Sequence, residues 1–316
     1  MNCQLDYLKL DFILSSKEYV ILPSFLGSTL RGALGTAMKK KMCKFEFSKI
    51  CKNCSNRTTC NYTFLFTHIN DNDTKNSNTK PNPFIIKPPL MGKTLYQAND
   101  ILGFSLILIG NAIDFAYDYI DAVNIFAKTG LGYKKSPFEL LATYCNGCQI
   151  NINDLTLNNY LKEKSQKWSY TDELKKLRHD INLINFNLLT PTRITTKGKL
   201  INNSDLDFES LMCAVFRRLS TFAQIYCNND WEIRYDDYLK KASLIKAKES
   251  TDNLTWFSLN RYSNRAKEKI DISGLVGSLS FCGDLTPFMP FLTITSILHV
   301  GKGCTYGLGS FEAISI

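Results

Sequence analysis

Hydrophobic and polar positions follow two different periods along the first half of the chain. Apolar residues alternate with polar or mixed ones from 8 to 14, which predicts a half-buried β-strand over Leu5 to Leu14. From 26 to 38 apolar residues recur at every fourth position, which predicts a helix. Ser24 is a candidate N-cap for this helix, and lysines gather near its C-terminal end, where the helix dipole favours cations.

The same two periods predict the remaining elements of the first half. Strands are expected at the FIIK and FSLILI segments and over Phe138 to Cys145, and a second helix is expected over 111–128. Residues 149–180 are rich in Asn and Lys with weak periodicity, and we interpret them as a linker or insertion.

The order of elements then restarts. We expect strands over 181–189, near 243–247, 255–262 and 272–282, and over 310–315, with helices over 207–227 and 287–298. The tripeptide Gly-Leu-Gly occurs at 130–132 and again at 307–309, each time followed by Phe-Glu at the start of a strand. This repetition predicts two copies of a βαββαβ unit, over 1–150 and 181–316, with 151–180 between them. The alternative is one irregular α+β domain.

Composition supports a globular protein. With 316 residues, of which 44% are hydrophobic and 21% charged, the chain is large enough for two domains, and a wholly disordered or fibrous protein is excluded. The longest nearly uncharged apolar run, Ile101 to Gly110, is about half of a membrane span. Asp6 and Asp11 lie where a signal peptide would be basic and then apolar, so we expect a cytoplasmic protein without a membrane partner.

The formal net charge of +9 is compatible with a polyanionic partner and does not require one. Lysines at 39, 40 and 41 form one basic cluster, which is either a solvated helix end or an RNA-facing wall. Aromatic and basic residues also mix over 256–269, with Arg261, Tyr262 and Arg265 as candidate RNA contacts. The alternative is a sheet with its aromatic side chains inside and its charges solvated.

Four of the eleven cysteines fall in a short polar insertion, residues 43–60. Cys43, Cys51, Cys54 and Cys60 include a C-x2-C pair, and four thiolates satisfy a tetrahedral Zn²⁺ ion, so we predict a structural zinc site. The alternatives are free thiols or, less expected in the cytosol, a disulfide. A polar tract without apolar residues follows at 70–82 and predicts a mobile loop.

Residues 299–309 contain four glycines, Gly301, Gly303, Gly307 and Gly309. Glycine permits positive φ and close approach to a ligand, and successive backbone N–H groups in such loops bind phosphate oxygens. The loop follows a predicted helix, which argues against a nucleotide-hydrolysing or dinucleotide site, since those sites follow a strand. A simple tight turn before the last strand is the alternative. Lys302 adds a positive charge, and His299 adds a group that titrates near neutral pH.

Seven segments of the chain resemble, in order, the CRISPR-associated endoribonucleases that process precursor CRISPR RNA, within the RAMP superfamily. They are RGALG (31–35), the cysteine insertion leading to Cys60 and Leu65-Phe66, TPTRI (190–194), FRRLS (216–220), RYSNR (261–265), GLVGSLSFCGDL (274–285) and LHVGKGCTYGLGSFE (298–312).

The resemblance implies an α+β protein with two tandem ferredoxin-like (RRM-like) domains that bind CRISPR repeat RNA in a basic cleft. It implies metal-independent cleavage, in which a ribose 2′-OH attacks the adjacent phosphate to give a 2′,3′-cyclic phosphate. The catalytic candidates are His299 as acid or base, with Arg31 and Lys302. Many relatives carry a histidine on or near the first helix, and this chain has none between Ser24 and Met42.

Two other functions stay open at this point. One is a catalytically silent RNA-binding subunit of a CRISPR effector complex, which the missing helix histidine favours. The other is a zinc-stabilised nucleic-acid module outside CRISPR biology. The other two histidines are less suited to catalysis, since His68 borders the polar tract and His179 lies in a charged segment.

Overall fold

A computed structural model describes the chain over residues 3–45, 51–67, 80–154, 156–202, 206–227, 231, 233–248, 253–263 and 268–316. The chain divides into two compact units. The N-terminal unit is Asp6–Gln166, and the C-terminal unit is Lys167–Ile316 together with Met1–Leu5. In the described ranges no helix has the length and apolar character that a membrane crossing requires. The predicted loop at 70–82 lies outside the described residues except for its last three positions.

The N-terminal unit is built on one antiparallel sheet. The elements of this part of the chain are β1 (Gln4–Ser16), β2 (Val20–Ile21), α1 (Gly27–Met42), α2 (Asn61–Phe66), β3 (Phe84–Lys87), β4 (Leu95–Tyr96), β5 (Ile101–Ile109), α3 (Ala116–Thr129), β6 (Phe138–Cys145), β7 (Cys148–Ile150) and α4 (Leu157–Glu163). The main path of the sheet has the order β3-β5-β1-β6-β7, and β2 pairs separately with β4. The predicted strand over 138–145 is confirmed at both ends.

The alternating pattern of β1 places its leucines in the core. Leu8, Leu10 and Leu14 are buried, and Leu10 lies opposite Leu106 of β5. The helices α1 and α3 pack together. The apolar residues that recur at every fourth position of α1 are buried in the same hydrophobic cluster as β1. The predicted cap is wrong, because α1 begins at Gly27 with Leu26 in the cap position and no side-chain cap hydrogen bond.

The C-terminal unit has a second antiparallel sheet. The elements of this part of the chain are β8 (Gln166–Ser169), α5 (Tyr170–Lys176), β9 (Leu183–Thr192), β10 (Thr195–Thr196), β11 (Lys199–Leu200), α6 (Phe208–Tyr226), α7 (Tyr235–Ala242), β12 (Lys246–Lys248), β13 (Thr255–Phe257), β14 (Asn260–Ser263), β15 (Glu268–Asp271), β16 (Gly274–Cys282), α8 (Met289–Leu298) and β17 (Phe311–Ser315). The sheet order is β12-β16-β9-β17, with β13 also paired to β16. Strands β14 and β15 form a separate two-stranded ribbon.

Both units share one topology. In the N-terminal unit β1, α1, β3, β5, α3 and β6 form a βαββαβ arrangement, and β9, α6, β12, β16, α8 and β17 repeat it. In each sheet the first strand lies between the third and the fourth, which is the ferredoxin-like order. The prediction of two tandem ferredoxin-like folds is therefore confirmed, and the single irregular domain is ruled out.

The segment between the repeats and the end of β9 both differ from their predictions. Residues 149–180 are not an irregular linker, since they hold α4, β8 and α5. Strand β9 does not end before Pro191 but continues to Thr192. Its pairing with β16 shifts register between Leu275 and Gly277, and proline is tolerated in a strand at such irregularities.

Candidate nucleic-acid interface

The glycine-rich loop between α8 and β17 has a backbone that ordinary residues rarely adopt. Gly301, Gly303, Gly307 and Gly309 have φ values of 88°, 78°, 91° and 69°. A β-carbon on Gly309 would lie 1.8 Å from the Val300 carbonyl oxygen, far inside contact distance. Backbone conformation thus favours glycine at all four positions, and lack of space also requires it at Gly309. The alternative of one tight turn does not describe this longer, internally bonded loop.

The loop is held against the end of β9 by hydrogen bonds. Lys302 N donates to the Arg193 carbonyl oxygen at 2.9 Å, and Gly309 N donates to the Pro191 carbonyl oxygen at 3.1 Å. The Thr190 hydroxyl donates to the Gly307 carbonyl oxygen at 2.9 Å. These bonds fix the loop backbone while the Lys302 side chain stays exposed to solvent. The TPTRI segment, to which the sequence assigned no role, is therefore the support of the loop.

His299 is fully buried at the start of the loop. Its exposed fraction is 0%, and its Nδ1 lies 3.1 Å from the Leu308 carbonyl oxygen. Because a carbonyl oxygen only accepts, Nδ1 carries the proton in this arrangement. His299 also has a φ of 58°, which is uncommon for a residue with a side chain. The ring joins the two ends of the loop and does not face solvent in this conformation. Its predicted acid–base role stays a prediction.

Arg218 of α6 supports the loop from the other side. Its Nε donates to the Leu298 carbonyl oxygen at 2.7 Å, at the point where α8 ends. The guanidinium also lies 4.6 Å from the centroid of the Phe222 ring. Burial lowers the pKa of Arg218 below its ordinary value. Arg218 belongs to the FRRLS motif, but the motif does not indicate its partner, which lies 80 residues away in the sequence.

Arg193 connects the loop support to the β14–β15 ribbon. Its Nη1 donates to an Asp271 carboxylate oxygen at 3.1 Å and to the Ser273 carbonyl oxygen at 2.7 Å. Hydrogen bonds from the Ser273 hydroxyl and backbone N–H, followed by the contribution of Arg193, lower the pKa of Asp271 to about 2. The Asp271 carboxylate is therefore charged at neutral pH and orients the guanidinium.

The β14–β15 ribbon brings aromatic and basic side chains to the loop. The Arg261 guanidinium lies 4.8 Å from the centroid of the Tyr306 ring, and Tyr306 belongs to the loop itself. Tyr262 lies directly opposite Lys269 across the ribbon, and its side chain is 59% exposed. Trp256 and Phe257 of the neighbouring β13 are also partly exposed. Arg265, the remaining candidate of this ribbon, lies outside the described residues.

The predicted basic residues of α1 belong to the N-terminal unit, where Arg31 and Lys41 contact other groups. Arg31 donates from Nη2 to the Phe66 carbonyl oxygen at 3.4 Å. Lys41 pairs with Asp121 at 2.5 Å and with Asp118 at 3.3 Å. Burial opposes the charge of Lys41, but the hydrogen bonds and charges of both aspartates outweigh it and raise its pKa.

These contacts engage Arg31 and Lys41 within their own unit. Lys40 is exposed, and Lys39 is partly buried. The predicted RNA contacts of Lys39, Lys40 and Lys41 and the predicted catalytic role of Arg31 remain predictions.

The other described histidine, His179, does not belong to this arrangement. His179 is exposed on the segment after α5, and His68 lies outside the described residues. The structure therefore brings Lys302, Arg261 and the four loop glycines together with the support residues Arg193 and Arg218. Sequence patterns identified Lys302, Arg261 and the loop glycines. The support residues Arg193 and Arg218 are revealed only by long-range contacts.

The four cysteines of the insertion line one cavity of about 310 Å³, beside the C-terminal end of α1 and the start of α2. Across the part of the chain that the structure describes, no three His, Cys, Asp or Glu side chains converge tightly enough to hold a metal ion. The predicted zinc site is thus a shared cavity lined by four thiols, and the ion itself remains a prediction.

One family model matches the segment of the chain that contains the glycine-rich loop. The model described as "CRISPR-associated endoribonuclease Cas6" matches residues 186–311, which span the second ferredoxin-like repeat from β9 to β17. The second ferredoxin-like repeat therefore matches the Cas6 endoribonuclease family. A second model, AF_1859_N, described as an N-terminal domain, matches residues 5–154. The resemblance read from the sequence motifs is confirmed.

Solved structures agree on the fold across the whole chain. A Cas6 product complex is 14% identical with a TM-score of 0.57, and the match covers 98% of this chain and 99% of that one. A Thermus thermophilus Cas6 is 14% identical with a TM-score of 0.54, over 98% and 99% of the two chains. A chain from a partial Cas6-RT-Cas1–Cas2 complex is 12% identical with a TM-score of 0.61. That match covers 99% of this chain and 46% of the other. None of the curated proteins matches the chain.

Proposed function

We propose that this chain belongs to the Cas6 family, binds CRISPR repeat RNA and cleaves it without a metal ion. The observation that carries the proposal is the rigid glycine-rich loop, which presents Lys302 to solvent beside the aromatic and basic ribbon. Backbone N–H groups and cations bind phosphates, and exposed aromatic rings stack on unpaired bases. The loop lies inside the segment that matches the endoribonuclease family.

In the proposed reaction a ribose 2′-oxygen attacks the adjacent phosphorus. The new O–P bond forms a 2′,3′-cyclic phosphate while the bond to the 5′-oxygen of the next nucleotide breaks. The 2′-OH loses its proton and the leaving 5′-oxygen gains one, so no oxidant, reductant or water is consumed. Lys302 and Arg261 stabilise the negative charge that builds on the phosphate oxygens. Holding the 2′-oxygen in line with the leaving oxygen supplies a further large part of the acceleration.

Cleavage of repeat RNA in EDTA tests this reaction. We expect the purified protein to cut the repeat of the CRISPR array nearest to its gene at one position, with a cyclic phosphate on the upstream product. A single 2′-deoxy nucleotide at the cut site removes the nucleophile and is expected to abolish cleavage while binding persists. Cleavage that needs an added divalent metal, or that continues on the 2′-deoxy substrate, would contradict the mechanism.

A silent RNA-binding subunit of a CRISPR effector complex is the second candidate. Two observations favour it, since α1 carries no histidine and His299 is buried. In the same experiment this candidate predicts tight repeat binding with no product, including when partner subunits are added. The RNA-binding surface is common to both candidates, so variants of that surface lower affinity in either case.

Lys302→Ala is expected to weaken RNA binding and to reduce its salt dependence. Removing one phosphate contact lowers the slope of log affinity against log salt by about 0.7 to 0.9. The slope is measured by fluorescence anisotropy at a series of salt concentrations. Lys175→Ala, which removes an exposed lysine from α5, is the matched control and is expected to leave the slope unchanged. Equal slopes for wild type and Lys302→Ala would remove Lys302 from the interface.

A further inference from the structure

We propose that Cys43, Cys51, Cys54 and Cys60 bind one structural Zn²⁺ ion that fastens the end of α1 to the start of α2. This site is separate from the loop of the C-terminal unit and does not depend on the proposed RNA chemistry. The ligand set is four thiolates, which is a complete tetrahedral shell without an open position for catalysis.

The first observation is that all four cysteines reach the same cavity from three different elements. Cys43 is the C-cap residue of α1, and Cys60 is the N-cap residue of α2. Cys51 begins a one-turn 3₁₀ helix, and Cys54 follows it directly. All four line the cavity of about 310 Å³, and each of them is partly buried.

The second observation is the turn that joins the C-x2-C pair. The backbone N–H of Cys54 donates to the Cys51 carbonyl oxygen at 3.1 Å, and Arg57 N donates to the Cys54 carbonyl oxygen at 3.2 Å. Successive bonds of this kind fold the pair into a tight turn with both side chains on the cavity. A C-x2-C pair in a turn supplies two ligands to one metal, and the helix-end cysteines supply the other two.

The third observation is the position of Lys39. It lies in the last turn of α1, and its carbonyl oxygen accepts from the backbone N–H of Cys43 at 2.9 Å. Four thiolates and one Zn²⁺ carry a net charge of about −2, which a neighbouring lysine stabilises. Lys39 is therefore suited to a role beside the cluster.

The fourth observation is that the described part of the insertion has no buried apolar residues of its own to stabilise it. In the described part, Cys51 to Cys60 contributes no residue to the buried apolar core, which resumes with Leu65 and Phe66 of α2. A polar segment that buries little gains order from a metal. Binding requires the thiols to turn inward to Zn–S distances of about 2.3 Å and to release their protons.

Metal content of the purified full-length chain tests the proposal. We expect about one zinc per chain by inductively coupled plasma mass spectrometry, and a loss of at least about tenfold in Cys51→Ser/Cys54→Ser. The control is Cys148→Ser/Cys282→Ser, which removes two exposed cysteines elsewhere and is expected to keep the metal. If the protein is purified without metal, Zn²⁺ is added in competition with a chromogenic chelator. A folded chain that binds none, or equal zinc in the two double variants, overturns the proposal.

Cobalt keeps the test decisive if the serine variant fails to fold. Co²⁺ added to metal-free protein is expected to give the visible bands of a tetrahedral site and an intense thiolate-to-cobalt charge-transfer band. Cys60→His retains a metal ligand and is expected to weaken the charge-transfer band by about one quarter, since one of four thiolates is lost. An octahedral spectrum, or identical spectra for wild type and Cys60→His, contradicts the four-thiolate site.

Discussion

Gly309→Ala is expected to destabilise the protein by roughly 3 kcal/mol or more and to weaken RNA binding at least about 100-fold. The new β-carbon would lie 1.8 Å from the Val300 carbonyl oxygen, which is a backbone atom and cannot rotate away. The φ of 69° adds a cost of about 1–2 kcal/mol for any residue with a side chain. The loop must therefore move as a whole, and the Lys302 side chain moves with it.

Gly198→Ala separates steric conflict from backbone strain. Gly198 has a φ of 80°, but a β-carbon there meets nothing within 4 Å. We expect this control to cost about 1 kcal/mol and to leave RNA affinity within about twofold. Chemical denaturation measures both free energies of unfolding, and fluorescence anisotropy measures binding. Equal losses of RNA affinity in the two variants would show that the loop conformation has no part in binding.

His299→Ala is expected to lower stability and RNA cleavage together. The substitution leaves the buried Leu308 carbonyl oxygen without its ring partner, which costs about 1–3 kcal/mol. It also releases the link between the two ends of the loop. In this interpretation His299 is a positioning residue, and cleavage falls roughly 100-fold because the loop no longer presents Lys302.

His299→Asn distinguishes positioning from acid–base catalysis. Asparagine tolerates positive φ, and its side-chain amide can donate to the same carbonyl, but it does not transfer protons near neutral pH. For a positioning role we expect Asn to restore stability and most of the cleavage. For an acid–base role, stability returns but the rate stays about 10²- to 10⁴-fold low. Denaturation curves and single-turnover cleavage of both variants decide between the two roles.

Local periodicity predicted most of the elements of both repeats. Strand β6 and helix α6 follow their predicted bounds to within one residue, because each carries a regular pattern of buried positions. The repeated order of elements also predicted a duplicated βαββαβ unit, and the family resemblance implied that each copy is ferredoxin-like. The predictions failed over 149–180, where the hydrophobic pattern is weak. The prediction of the N-cap also failed, because Ser24 precedes the observed cap position of α1 by two residues.

The candidate site was only partly readable in the sequence. The glycines and Lys302 stand out because they form one short segment. The Arg193–Asp271 and Arg218–Leu298 contacts join residues 78 and 80 positions apart, and neither follows from local spacing. The burial of His299 could not be predicted either, because its neighbours in sequence do not show which side of the loop faces the core.

The sequence alone determined the alternation of hydrophobic and polar positions, the duplicated order of elements and the family motifs. These are local or ordered along the chain, so they need no knowledge of packing. The tertiary structure decided which charges are paired, as for Lys41, and which are exposed, as for Lys302. It also placed four cysteines around one cavity. Burial and pairing depend on residues far apart in the chain, and folding alone brings those residues together.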